Sequence, residues 1–217
     1  MNKLELLYKM MAKAKSKKEC EGTIKVTTTE NGTSIISTEG KFYKNHETHD
    51  MKGNVSGFFI ENGEKVELNN NVDIKDMKAK KKEAMKNCDC KCSCSKRDRK
   101  FGKAMFMLKL VNEMKVSKDG EFNVISIEAK NFKKEHDKIH EMMNGNHAEM
   151  MAKKIEFMKS LGMPEEIIRF KMNVMKALFT QIDATEIKIF VNAENEISKV
   201  LLEGAVTPIS LKIEISL

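Results

Sequence analysis

The chain has 217 residues, 41% of them hydrophobic, which is enough apolar material for one sizeable core and excludes a wholly disordered chain. Its net charge of +7 suits acidic surfaces, yet ten lysines and arginines crowd between Lys78 and Lys100, with only Glu83, Asp89 and Asp98 against them. The excess is therefore local rather than spread along a groove, and with no Trp and two Tyr to stack on bases, nucleic-acid binding ranks last among the function classes.

The first predicted element is an amphipathic helix over Met1 to Glu19, with Leu4, Leu7, Tyr8 and Met11 at helical spacing and lysines opposite. The residues before Cys20 are Ala-Lys-Ser-Lys-Lys-Glu, which is neither the apolar stretch of a secretory signal nor a lipoprotein anchor. No stretch approaches the roughly twenty apolar residues of a membrane span, and clustered cysteines suit a reducing compartment, so the expected location is the cytoplasm. A leader preceding Met1 would make it extracytoplasmic.

Gly22 to Thr29 and Thr33 to Thr38 are β-branched runs around Glu30-Asn-Gly32, a hairpin signal. Lys41 to Lys44, Asn54 to Ile60 and Glu64 to Leu68 continue the pattern, with Glu61-Asn-Gly63 as a second turn of the same type. The N-terminal third thus reads as an antiparallel meander. From Asn69 to Lys100 the chain is polar, rich in lysine and without apolar periodicity, which predicts an exposed loop. Phe101 to Val116 suits a short helix ended by Lys118-Asp-Gly120, and Phe122 to Ala129 a strand. Asn131 to Ile182 predicts two or three helices, broken at Leu161-Gly-Met-Pro164, with Pro164, Glu165 and Glu166 marking a helix start. Strands return at Glu186 to Asn192, Glu196 to Glu203 and Ile209 to Leu217, joined by Asn192-Ala-Glu-Asn195 and by Gly204 to Pro208. The expected fold is a single α+β domain over residues 1–217: a curved antiparallel meander with an N-terminal helix, a flexible loop at 69–100, and a helical insertion at 131–182 packed on one face.

Cys88, Cys90, Cys92 and Cys94 stand at alternate positions, and four thiolates are the preferred donors for a soft ion such as Zn(II) or Cu(I). An irregular segment can curl all four onto one ion, and the surrounding Lys and Arg favour the thiolate form. The spacing is closer to a metallothionein segment than to a zinc finger, whose cysteines split into two separated pairs. Redox or sulfur-transfer chemistry and a loop of free thiols are the competing readings. A catalytic cysteine needs a partnered histidine, and nothing ties His46 or His49 to this loop.

His136 and His140 share a helical face, with Met143, His147, Met150 and Met151 following, but in a chain with 17 methionines such a stripe is more often adaptable core than copper ligand. Met142, Met143, Met150, Met151, Met158, Met163, Met172 and Met175 instead form a candidate surface that repacks around an apolar ligand or a protein partner. The chain contains no nucleotide-binding glycine pattern, no Gly-x-Ser-x-Gly elbow and no His-Glu-x-x-His motif, so the expectation is a protein without catalytic activity.

Phe122-Asn-Val-Ile-Ser-Ile127, Thr185-Glu-Ile-Lys-Ile-Phe-Val191, the turn Asn192 to Asn195, Ile197 to Leu202 and Ile209 to Ile215, with Leu4 to Val26 as a helix entering a strand, resemble the lipoprotein-carrier (LolA-like) fold. That resemblance implies a curved antiparallel sheet partly plugged by helices. It covers about half of the chain as pattern rather than signature, and the insertion at 131–182 and the missing signal depart from the family. The leading expectation is a binding protein for an apolar ligand or partner that bears a metal-binding loop. The second is a metal sequestration or delivery protein in which the sheet only carries that loop.

Changing Cys88, Cys90, Cys92 and Cys94 together to Ser is expected to abolish binding of a soft ion while leaving the fold intact, because the flanks are polar. Native mass spectrometry of protein isolated with zinc or copper checks this. Equal metal content in the wild type and the four-Ser variant contradicts it.

Overall fold

The computed structural model describes residues 2–77, 79, 110–130 and 155–217. The clustered cysteines Cys88, Cys90, Cys92 and Cys94, the candidate residues Met142, Met143, Met150 and Met151, and His136, His140 and His147 lie outside them.

Helix α1 (Lys3–Ser16) leads into β1 (Glu19–Glu30), β2 (Thr33–Asn45), β3 (Met51–Glu61) and β4 (Glu64–Ile74). After a connection comes β5 (Lys115–Asp119), then β6 (Phe122–Glu128), helix α2 (Glu165–Gln181), a 3₁₀ turn at Ile182–Ala184, β7 (Thr185–Val191), β8 (Ile197–Val206) and β9 (Ile209–Ser216). The described strands form one curved, wholly antiparallel sheet in the order β4-β3-β2-β1-β9-β8-β7-β6-β5, so this is the expected α+β architecture. Two meanders, β1–β4 and β5–β9, join where β1 pairs with β9. The chain from β4 to β5 therefore connects one edge of the sheet to the other, and it carries the four clustered cysteines.

Local chemistry sets the tight turns. Asn31 and Gly32, and again Asn62 and Gly63, all hold positive φ, the geometry that a two-residue hairpin needs to match strand twist. The expected strands occur, with longer bounds in several places. Lys41 to Lys44 continues β2 rather than forming a separate strand. Asn69 to Ile74, expected in the loop, belongs to β4, because Asn70, Val72 and Ile74 carry on the inward alternation of Val66 and Leu68. The helix expected up to Val116 ends earlier: residues 110–113 are helical, and Lys115–Asp119 is a strand whose Val116 pairs with Ile125. Gly204 to Val206, expected as a linker, completes β8.

Register carries one inner face across the whole sheet, since residues directly opposite on neighbouring strands point the same way. Ile125 faces Ile189, Ile187 faces Leu202, Leu202 faces Ile213, Ile213 faces Val26, Thr28 faces Ile36, Ile36 faces Phe59, and Phe59 faces Val66. Both helices pack there. Leu6, Leu7 and Met10 of α1 join Met114, Ile125, Ile127 and Val191 in one core. Phe170, Val174, Ala177 and Leu178 of α2 pack on Val26, Ile36, Phe59, Leu68, Leu211 and Ile213 in the other. Full burial of side chains such as Leu6 and Phe59 contributes roughly 1.5–3 kcal/mol each.

The stripe expected on α1 is rotated in the folded protein. Leu7 is buried and Met11 half-buried against the core as expected, but Leu4 is 55% and Tyr8 74% exposed, and Leu6 and Met10 are buried in their place. Both stripes fit helical spacing, and the contact with Met114 and Val191 selects between them. Asn2 caps the helix by accepting the Leu4 N–H, and Lys3 Nζ reaches the Met114 carbonyl at 2.7 Å.

The inner face also holds a set of strand glycines where neighbouring backbone comes very near. A Cβ at Gly53 would sit 2.7 Å from the Lys41 carbonyl oxygen, and at Gly22, Gly40 and Gly57 closer still to those of Ser216, Asn54 and Ser37. Gly57 additionally has φ +127. Missing side chains at these positions let the strands bend toward the helices. Gly57→Ala is expected to destabilise the fold by about 3 kcal/mol, against about 1 kcal/mol for Gly63→Ala, whose turn leaves open space. Urea denaturation measures both, and equal losses would count against the steric account.

Candidate functional site

The candidate site is the inner face where α2 lies over it. Its floor combines Val26, Ile36, Phe59, Leu68, Leu211 and Ile213 with the half-buried Ile24, Val55, Leu202 and Ile215. Thr28 stands among them between Ile36 and Leu211, fully buried, and its hydroxyl has no hydrogen-bond partner among the described residues. A buried hydroxyl left in that state costs about 1–3 kcal/mol. The roof is α2, whose Phe170, Val174, Ala177 and Leu178 recur at i, i+4, i+7 and i+8 and so form one side of the helix. Phe170 meets Phe59 at a ring separation of 6.3 Å.

The two ends of α2 are held differently. At its C-terminal end Gln181 is buried, and its Oε1 accepts the Val206 N–H at 2.6 Å. The Thr185 hydroxyl donates to the Gln181 carbonyl at 2.8 Å. Gly204 stands opposite Thr185, and a Cβ there would collide with the Thr185 hydroxyl, so the joint between helix and sheet is closely packed. Nearer its N-terminus the attachment is polar and on the surface. Arg169 donates from Nε to a Glu61 carboxylate oxygen at 2.7 Å and pairs with the same oxygen through Nη2, while Asn173 Nδ2 donates to the other oxygen at 3.1 Å. Arg169 hydrogen bonding, aided by Asn173, holds the Glu61 carboxyl below its usual range and raises the Arg169 guanidinium in turn. Helix α1 has a similar tether: Glu196, in the β7–β8 connection, meets Lys17 at 3.1 Å and Lys13 at 3.4 Å, and its carboxyl is lowered chiefly by the Lys17 hydrogen bond.

Of the expected ligand-contacting methionines, Met158 is buried and Met163, Met172 and Met175 are half-buried. At 100° per residue, Met172 and Met175 fall with Ile168 on the side of α2 away from the stripe that meets the sheet, so the residues facing the floor are Phe170, Val174, Ala177 and Leu178. Their i, i+4, i+7 spacing was available in the sequence, but a second stripe, Ile168, Met172 and Met175, has the same period. Thr28, Gln181 and the Glu61–Arg169–Asn173 group carry no sequence motif, since their roles come from strands and a helix distant along the chain. His46 is exposed and His49 half-buried in the β2–β3 connection, and Cys20 is a half-buried free thiol in β1. Among the described residues no group of three or more His, Cys, Asp or Glu side chains is placed to hold a metal ion.

No protein-family model and no curated protein matches this chain.

The Glu61 contribution has a definite pH dependence. Because the folded state lowers its carboxyl, the stabilisation is fully present above the unfolded value of about 4.3 and is lost as pH falls through the lowered folded value. Glu61 is half-buried but its partner Arg169 is 44% exposed, so solvent screens the pair and the effect is small. Glu61→Gln is expected to lower Tm by about 2 °C at pH 7, with the gap closing as pH falls through the lowered folded value. A gap that does not narrow as the solution is acidified contradicts the assignment.

Proposed function

We propose that the protein is a non-catalytic binding protein that takes an apolar ligand, or an apolar segment of a protein partner, between the inner face of the sheet and α2. The Thr28 hydroxyl is the observation that carries this reading. It is a buried polar atom left unpaired in a mostly apolar floor, and a ligand with an apolar body and one polar group would satisfy it. The unequal attachment of α2 supports the same reading. Its C-terminal end is fixed by the Gln181 and Thr185 hydrogen bonds, whereas nearer its N-terminus the polar hold is the solvent-screened Glu61 group, so that end is the one that would lift to admit a ligand. Among the described residues no helix is long and apolar enough to cross a membrane.

The cysteine cluster adds a second role, the binding of Zn(II) or Cu(I) by Cys88, Cys90, Cys92 and Cys94, on the donor chemistry of four neighbouring thiolates. In the alternative function, metal sequestration or delivery, this loop is the working part and the sheet is its carrier. The expected compartment is the cytoplasm.

Hydrogen exchange separates the two. Apolar binding predicts exchange in Asn131 to Ile182 faster than in β1, β8 and β9, slowing when palmitate or an amphipathic peptide is added. Thr28→Val is expected to raise the stability of the free protein by about 1 kcal/mol and to weaken palmitate binding. Uniformly slow exchange, unaltered by palmitate, detergent or peptide, would leave a permanent core and a metal carrier.

A further inference from the structure

Strand β4 forms one edge of the sheet, and among the described residues nothing pairs with its outer side. An open edge is a row of unpaired backbone donors and acceptors, and proteins usually shorten it, bulge it or interrupt it with proline. The opposite edge, β5, is only five residues long. Strand β4 has eleven residues, contains no proline and pairs with β3 without a register shift.

The hydrogen-bonding direction of each β4 residue follows from the turns. The Asn45 N–H bonds the Asp50 carbonyl, so the even-numbered residues of β3 bond toward β2 and its odd-numbered residues toward β4. The Glu61–Glu64 pair that closes the β3–β4 hairpin belongs to the second set. In β4, residues 64, 66, 68, 70, 72 and 74 therefore bond to β3, while Lys65, Glu67, Asn69, Asn71 and Asp73 turn their N–H and carbonyl groups outward. The side chains of those five residues are all exposed.

We propose that β4 is a homodimer interface, in which two copies of this chain pair antiparallel about a two-fold axis through Asn69. In that register Asn69 opposes Asn69 of the second copy as a hydrogen-bonded pair, consistent with its outward backbone groups. Lys65 then opposes Asp73, twice by symmetry, and Glu67 opposes the neutral Asn71, so no like charges meet. On the inner face the half-buried Val66 opposes Val72. Among the described residues the one ion pair of Asp73 is a 4.0 Å contact with Lys52, and its carboxylate is 54% exposed, which leaves it available to the second copy's lysine. A Lys and an Asp placed symmetrically about the strand's centre make the edge self-complementary, as a two-fold interface requires. The product is a single sheet continuous through both subunits. This proposal is independent of the ligand reading, because it uses the edge of the sheet and not its inner face.

Sedimentation velocity on the full chain over a range of concentrations tests it. The wild type is expected to show a reversible monomer–dimer equilibrium. Asn69→Pro deletes only an outward N–H and is expected to give a monomer with unchanged circular dichroism. Lys65→Asp and Asp73→Lys are each expected to weaken dimerisation about tenfold or more, by placing like charges opposite each other, and the two together to restore it. The restoration remains decisive if the proline variant folds poorly. A wild type that stays monomeric throughout, or a dimer indifferent to the charge reversals and their combination, overturns the proposal.

Discussion

The pairing of β1 with β9 is the constraint on which the rest depends. It joins two meanders distant in sequence, and its register sets Ile24 opposite Ile215, Val26 opposite Ile213 and Thr28 opposite Leu211. Because side chains alternate with a period of two, a slip of one residue at this seam would turn the apolar face of one meander toward the polar face of the other. With the seam in register, Ile125 near one edge and Val66 near the other share a single face, and both helices have one surface to cover. Non-local pairing of this kind is also slow to form, since a long loop must close before any contact offsets its entropy.

On that surface the apolar and polar interactions have separate tasks. Burial of Leu6, Leu7, Met10, Phe59 and their neighbours supplies most of the holding force, while the inner-face glycines admit the close backbone approach that bends the sheet. The ion pairs are peripheral and select positions rather than supply stability. Glu196 holds the C-terminal turn of α1 through Lys13 and Lys17, and Glu61 holds α2 through Arg169 and Asn173. Gln181 and Thr185 place polar groups deep in the joint between helix and sheet, and both are hydrogen-bonded there. Thr28 departs from this rule, which is why it focuses the functional reading.

Much of the strand content was legible because it is written locally. Alternating β-branched residues and the Asn-Gly pairs at 31–32 and 62–63 specify hairpins whatever surrounds them. Pro164 with Glu165 and Glu166 likewise marks the start of α2. Errors arose where two local readings were equally good. Asn69 to Ile74 is polar enough for a loop, yet it lies against β3 from Met51 to Ser56 and is drawn into the ladder. Lys115–Asp119 follows a helical turn and gains strand character only from pairing with β6.

By itself the sequence determined the hairpins, the start of α2, the overall α+β class and a dense group of four thiols, because each rests on residues within a few positions of one another. Tertiary structure decided which stripe of α1 is buried, which side of α2 meets the sheet, and that Glu61 meets Arg169, a sequence separation of 108. It also decided that the Thr28 hydroxyl is buried with no hydrogen-bond partner among the described residues. The physical reason is the same in each case: periodicity limits a helix or strand to a few equivalent faces, and the choice among them is made by contact with surfaces that the β1–β9 pairing assembles.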